Sequence, residues 1–314
     1  MAAGDMVSVP GHIQFGDELL LGPGTPYGWQ QITGWEESPA WDSGTVPRAD
    51  AHGAYPGGLL AQPRTFTIEG LVIRTERGAM GAAVRALSGA TVPGDVELPL
   101  VVQLDDSPPL LSFARCIRRT VPVGTGGYAL GLVLDGALQW EATDPRRYEL
   151  VEQRVEAGLP RAEPGLDWHV DVTDPNDEGG DPVLVEGGLV WPLDFGTPGS
   201  TGALVAVNSG DAPTHPVVVF RGPVELPSLT NVDTGGVIEY DLALAPGDEL
   251  LVDTAAGTAV LNGSASGLYT ITNRSTPEQT FTLAPGTTNL LFRAAPGSSD
   301  PAAACVVRWR SAYW

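Results

Sequence analysis

The 314-residue chain carries 4 histidines, 2 cysteines and 38 carboxylates, the side chains from which a metal site, a nucleophile or an acid–base pair would be built. None of His12, His52, His169 and His215 has a second histidine two to four residues away, the spacing that places two imidazoles on one zinc ion. Cys116 and Cys305 lie far apart without a Cys-x-x-Cys partner, in apolar strand-like surroundings, and are expected to be buried free thiols. There is no Gly-x-Ser-x-Gly elbow, phosphate-binding loop or dinucleotide fingerprint. The stretch Asp174-Pro-Asn176-Asp177-Glu178-Gly179 opens like a calcium loop. Glu178 then stands where Asp or Asn is expected, and Val185 takes the closing position that needs a carboxylate, so it reads as an acidic turn. A glycosidase carboxylate pair is defined by separation in space and leaves no mark in sequence. The reading is of a non-enzyme: no catalytic residue, no cofactor and no metal.

What remains is recognition chemistry. The Gly-, Pro- and Trp-rich stretch Gly28–Pro63 offers Trp35, Trp41 and Tyr55 as aromatic anchors for a subunit interface. Arg146 and Arg147, in Thr143–Tyr148 (TDPRRY), could bridge domains or neighbouring subunits. Trp168, beside Asp167 and His169, and Trp191, near Asp194, are the candidates for stacking on a sugar. The formal net charge is −21, and all 17 basic residues are Arg. Residues up to Arg154 hold 18 acids against 11 Arg, and those beyond hold 20 against 6. An acidic surface repels phosphate backbones, which argues against nucleic-acid recognition. The N-terminal residues lack the pattern of a secretory signal, and no apolar run approaches the ~18 residues of a membrane span.

The elements that would position these residues are mostly strands. Gly and Pro number 40 and 28 and are scattered between apolar runs, which predicts many tight turns between short strands. Strands are expected at Val7–Leu21 (with a turn at Phe15-Gly16-Asp17), Arg64–Arg74, Leu98–Leu104, Leu110–Thr120 and Tyr128–Ala142. In Arg64–Arg74, period two puts Phe66, Ile68 and Val72 on one face. One helix is predicted over Glu76–Ser88, where Met80, Val84 and Leu87 recur at helical spacing. The second half reads as strands alone: Gly202–Asn208, Pro216–Val224, Val237–Leu244, Glu249–Asp253, Ala259–Asn262, Thr280–Leu283, Asn289–Phe292 and Cys305–Trp309. In Val237–Leu244 the alternation points Ile238, Tyr240, Leu242 and Leu244 inward and Glu239 outward. Three Ala-Pro-Gly turns (Ala245–Gly247, Ala284–Gly286, Ala295–Gly297) fit type II, and Asn262-Gly263 fits a type I′ hairpin. The domains expected are residues 1–150 and 165–314, joined by a linker at 151–164. The second would be an antiparallel β-sandwich.

Three ordered stretches carry a family resemblance. They are FGDELLLGPGTPYGWQQITGWEE (Phe15–Glu37), RTFTIEGLVIRTERGAMGAAVRALSGA (Arg64–Ala90) with WEATDPRRY (Trp140–Tyr148), and the C-terminal series from Val207 through LAPGDELLVD and LAPGTTNLLF to VVRWRSAYW. Together they resemble the distal tail protein family of long-tailed bacteriophages; Gly165–Phe195 departs from the family pattern. The resemblance implies a mainly β chain: an N-terminal tail-tube-like split β-barrel with one helix, then a C-terminal galectin-like antiparallel β-sandwich. It implies a structural virion protein of the siphovirus type, made in the host bacterial cytoplasm. Such a protein forms a homo-oligomeric ring, six subunits being usual, at the distal end of the tail. The implied partners are the tail tube protein, the tail-tip hub or tail-associated protein, the receptor-binding protein and the tape measure protein. Two alternatives stay open. One is a tail-tip adhesin binding host cell-wall glycan through Trp168 or Trp191 of the sandwich; the other is a tail-tip protein of another symmetry, such as a trimer.

Overall fold

A computed structural model describes residues 2–162, 169–172, 183–186 and 199–314, with 169–172 and 183–186 described by backbone alone. Trp168, Trp191 and the acidic turn from Asp174 to Gly179 lie outside the described residues. The chain forms two compact units that interleave in sequence. The first is Met1–Glu152 with Ser209–Pro213 and Arg310–Trp314; the second is Gln153–Asn208 with Thr214–Trp309.

The first unit is a nearly closed antiparallel barrel. Its strands run in the order Leu19–Leu21, His12–Phe15, Leu98–Gln103, Leu110–Thr120, Leu132–Ala142, Arg64–Arg74, Tyr27–Gly28. The two ends of that order meet where the Gly22 amide donates to the Tyr27 carbonyl at 2.8 Å. Gly22 has φ +118°, and a Cβ there would lie 2.2 Å from the Gly11 carbonyl oxygen, so the seam requires glycine. Ile13, Phe15, Phe66, Ile68, Leu100, Leu138 and Trp140 fill the core, with Phe15 5.6 Å from Trp140.

Strand Arg64–Arg74 corrects the expected face. Phe66 and Ile68 are buried, but beyond Gly70 the buried residues are Leu71 and Ile73, and Val72 is only half-buried. Gly70 has φ +64° and no partner in the register with Leu132–Ala142, which passes from Glu69 to Leu71. It is the extra residue of a β-bulge, and one inserted residue exchanges inside for outside along the rest of a strand.

The main helix, α1 (Met80–Ala90), begins later than Glu76 because Gly78 sits at φ +84°. It buries Met80 and Leu87 on the barrel. Arg119 ends it, donating to the carbonyls of Ser88 (3.0 Å) and Thr91 (3.0 Å) and to Thr91 Oγ1 (2.8 Å). A cation is favourable at that end of the helix dipole. A second short helix, α2 (Thr125–Leu130), replaces the start of the strand expected from Tyr128.

The second unit is a sandwich. One sheet has six strands in the order Gln153–Gly158, Ala304–Trp309, Val217–Arg221, Glu249–Asp253, Thr258–Leu261, Ala265–Ser266. The other has four: Ala203–Asn208, Gly286–Arg293, Ser228–Asn231, Val237–Glu239. Gln153–Gly158 thus forms an edge strand inside the stretch read as linker. Alternate residues of the two sheets meet in a core built around Phe220, which lies 5.9 Å from Phe292 and 6.5 Å from Tyr240.

Glycines 247, 286 and 297 all adopt φ near +90°, as the Ala-Pro-Gly turns require, and both Asn262 and Gly263 have positive φ. Two predicted strands are corrected. Val237–Leu244 breaks after Glu239, and Ala243–Leu244 pairs with Val224–Glu225 instead. Glu239 is buried, not outward, because Thr272 Oγ1 donates to its carboxylate at 2.8 Å and Arg274 lies 3.2 Å away. Thr280–Leu283 is not a strand: Thr280 ends a 3₁₀ turn, Glu278–Thr280, and Leu283 makes an isolated bridge to Thr214.

Candidate functional site

One exposed apolar surface of the first unit is a hairpin arm spanning residues 40–62. Two short ladders build it, Trp41–Ser43 with Leu59–Ala61 and Val46–Pro47 with Ala54–Tyr55. The Gln62 amide donates to the Ala40 carbonyl (2.8 Å) at its base and the Arg48 amide to the Gly53 carbonyl (3.1 Å) at its tip. Gly57 is required, since a Cβ there would lie 2.2 Å from the Gly44 carbonyl carbon. Along this arm Val46, Tyr55, Leu59 and Leu60 are 60–72% exposed, and Trp41 is 41% exposed. A thin hairpin has no core of its own for these side chains to enter, and Leu59 and Leu60, successive residues of one strand, offer apolar surface on its two opposite faces. Exposed apolar surface of this kind is a candidate interaction site.

The root of the arm is held by two arginines. Arg64 donates to the carbonyls of Glu37, just before the arm, and Pro145. Burial, reinforced by the neighbouring Arg147 charge, pulls its guanidinium down to about 10. Arg147 lies 5.8 Å over the Trp35 ring, pairs with Glu36 at 2.9 Å and donates to the Trp314 carbonyl at 2.5 Å. Beside it, Arg146 is locked to Asp144 (2.7 Å) and donates to the Pro213 carbonyl (2.9 Å). Tyr148 donates to the same Asp144 carboxylate, and burial, then that negative charge, pushes its phenol well above the ordinary range.

The residues expected at an interface are therefore divided. Trp41 and Tyr55 lie on the exposed arm. Trp35 does not: it is 2% exposed, packed 4.9 Å from Phe66 under Arg147, and is a core residue of the root. Arg146 and Arg147 are drawn inward as clamps within the first unit. Sequence reading missed Leu59 and Leu60, two adjacent leucines in a stretch read for its aromatics. It also missed Arg64 and Glu36, whose roles depend on partners more than 80 residues away in the chain.

The other candidate chemistry does not assemble. His12 is buried, 2.8 Å from the Pro23 carbonyl, and His52 is exposed. Both cysteines are buried and unbridged, and burial raises both thiols. Among the described residues no cluster of His, Cys, Asp or Glu could hold a metal ion, and no helix is long and apolar enough to cross a membrane.

A barrel with one substantial helix and an antiparallel sandwich, their residues interleaved, place the chain in the fold of the phage distal tail proteins. The crystal structure of SPP1 Dit, described as a paradigm of the hub adsorption apparatus in phages infecting Gram-positive bacteria, superposes with a TM-score of 0.62 at 12% identity, covering 96% of this chain and 99% of that one. Two structures of the phage P2 baseplate in its activated conformation, with calcium and with strontium, give TM-scores of 0.47 and 0.46 at 10% identity, covering 95% of this chain and 97% of each of those. No curated protein matches. Residues 209–313 match the family model of the siphovirus-type tail component, C-terminal domain.

Proposed function

We propose that this protein is a non-enzymatic structural component of the virion. It forms a ring of about six subunits at the distal end of the tail and joins the tail tube to the tip proteins that hold the host-binding apparatus. The observation that carries the reading is the arm: a hairpin whose Val46, Tyr55, Leu59 and Leu60 stay 60–72% exposed and whose Trp41 stays 41% exposed. A ring closes by head-to-tail contacts between unlike patches, and an arm reaching a neighbour supplies one of them. A stable contact must bury on the order of 1,200 Å² in total. The fold shared with SPP1 Dit and the tail-component family of residues 209–313 supply the setting. The partners proposed are the tail tube, the tail-tip hub, the receptor-binding protein and the tape measure protein.

Light scattering and negative-stain imaging of the purified chain test this. A closed ring of about six subunits supports it; a compact trimer, or a monomer that also fails to join isolated tail tubes, overturns it. The glycan-binding alternative rests on Trp168 and Trp191, outside the described residues, and no observation here favours it.

A further inference from the structure

Arg310–Trp314 follows directly on a strand of the sandwich, yet belongs to the barrel unit. It is fastened there at each residue whose side chain or backbone can reach. Ala312–Tyr313 pairs with Arg147–Glu149, and Ala212 bridges to Ala312 from the other side. The Arg310 guanidinium donates to the carbonyls of Glu149 and Leu150. Tyr313 donates to the Glu149 carboxylate at 2.9 Å, and the Trp314 amide donates to Asp211 at 2.8 Å. Gly210 is needed beneath it, because a Cβ there would lie 1.8 Å from the Ala312 oxygen.

This segment ends on the arm. The Trp314 ring meets the Trp41 ring edge-on with centroids 5.1 Å apart, and Trp41 is the first residue of the arm's first strand. The Trp314 carbonyl accepts from Arg147, the residue that also grips Glu36 at the arm's root. On the far side Trp41 Nε1 donates to Ser38 Oγ at 3.0 Å, so the indole has one preferred seat. Beyond Trp41 every residue through Gly53 is exposed. A thin two-stranded hairpin is marginal in water and does not hold a direction by itself.

We propose that Arg310–Trp314 is a latch that positions the arm: Trp314, seated by Arg147 and Asp211, is the stop against which Trp41 rests, and it sets the angle at which the arm leaves the barrel. Trp314 acts through Trp41 and is a positioning residue. The inference rests on the arm being the assembly element, but its test does not. An arm without its stop samples many directions, and presenting it to a neighbour then carries an ordering penalty.

The experiment compares the full chain with Trp314→Ala and Trp314→Phe by amide hydrogen exchange, with light scattering in parallel. Losing one edge-on aromatic pair is expected to raise exchange by about three- to tenfold. The rise should fall at the arm amides of Gly44, Arg48 and Gln62 and leave the barrel strands Arg64–Arg74 and Leu132–Ala142 unchanged. Trp314→Phe should restore most of the protection. Unchanged exchange in the arm of Trp314→Ala overturns the latch, as does a rise spread equally over the barrel, which would make Trp314 a general packing residue. If the wild-type chain is a monomer that also fails to join isolated tail tubes, the ring reading fails while the exchange contrast still decides the latch. If rings form and Trp314→Ala forms them equally well with a loosened arm, the latch has no part in assembly and the proposal falls.

Discussion

Leu60→Asp separates assembly from folding. Leu60 is 72% exposed, so the isolated subunit gains little from it, and a surface change of this kind moves stability by no more than about 0.5 kcal/mol. In a ring contact the same side chain still has most of its surface to bury. Full burial of a leucine contributes roughly 2 kcal/mol, so about 1.5 kcal/mol remains for the interface. Aspartate forfeits this and adds the penalty of desolvating a carboxylate, at least about 1–2 kcal/mol more for an unpaired polar group. The total is near 3 kcal/mol per contact, about a hundredfold in dissociation constant. Sedimentation velocity over a hundredfold range of concentration should show the variant as a monomer where the parent is a ring, with the thermal transition unchanged when both are compared as dissociated subunits at high dilution. An identical oligomer distribution for the two proteins would refute the assignment of the arm to the interface. A lowered transition temperature would refute the premise that Leu60 has no role inside the subunit.

Other outcomes follow from the cores and the clamps. Phe220→Ala should destabilise the sandwich by about 3–5 kcal/mol through loss of a fully buried ring between Tyr240 and Phe292; calorimetry would read it, and Phe220→Leu should cost clearly less. Arg119→Ala should cost about 1–3 kcal/mol, because the carbonyls of Ser88 and Thr91 lose a charged donor; denaturant unfolding measures this. Burial, then the hydrogen bond to Glu149, raises the Tyr313 phenol to about 12 from its ordinary value near 10. The folded state thus holds this proton more tightly than the unfolded chain. Its stabilising contribution is complete below pH 10 and lost as pH rises through the window from 10 to 12. Amide exchange at Ala312–Trp314 should accelerate there beyond the intrinsic base-catalysed rate, and Tyr313→Phe should remove that excess.

Local chemistry was legible in the sequence wherever it was self-sufficient. The Ala-Pro-Gly and Asn-Gly turns need only their own φ angles, and Leu110–Thr120 was bounded correctly by its flanking prolines and polar residues. Reading failed where a distant partner decided. Gly70 could have been an ordinary strand glycine; only the register against Leu132–Ala142 makes it a bulge and moves burial from Val72 to Leu71 and Ile73. Glu239 looks outward-facing until Thr272 and Arg274 arrive from more than 30 residues away. Gly126 and Gly127 are poor helix formers and hid α2. The arm followed the same rule. A Gly-, Pro- and Trp-rich stretch offered its aromatics alike, but which of them it would expose depended on the clamps: Arg147 closes Trp35 in, whereas Tyr55 stays exposed with Arg48 5.0 Å over its ring.

The interleaving of the two units bears on how the protein can be taken apart. A fragment ending at Glu152 keeps most of the barrel but loses Ala312–Tyr313, the strand that covers Arg147–Glu149. That ladder would be left with a free row of amides and carbonyls, the kind of edge that recruits another chain. Copies of the fragment would then zip together through the missing strand's place, and such particles would imitate a functional assembly while sharing none of its contacts. Circular permutants, which move the termini but keep every segment, avoid this false edge.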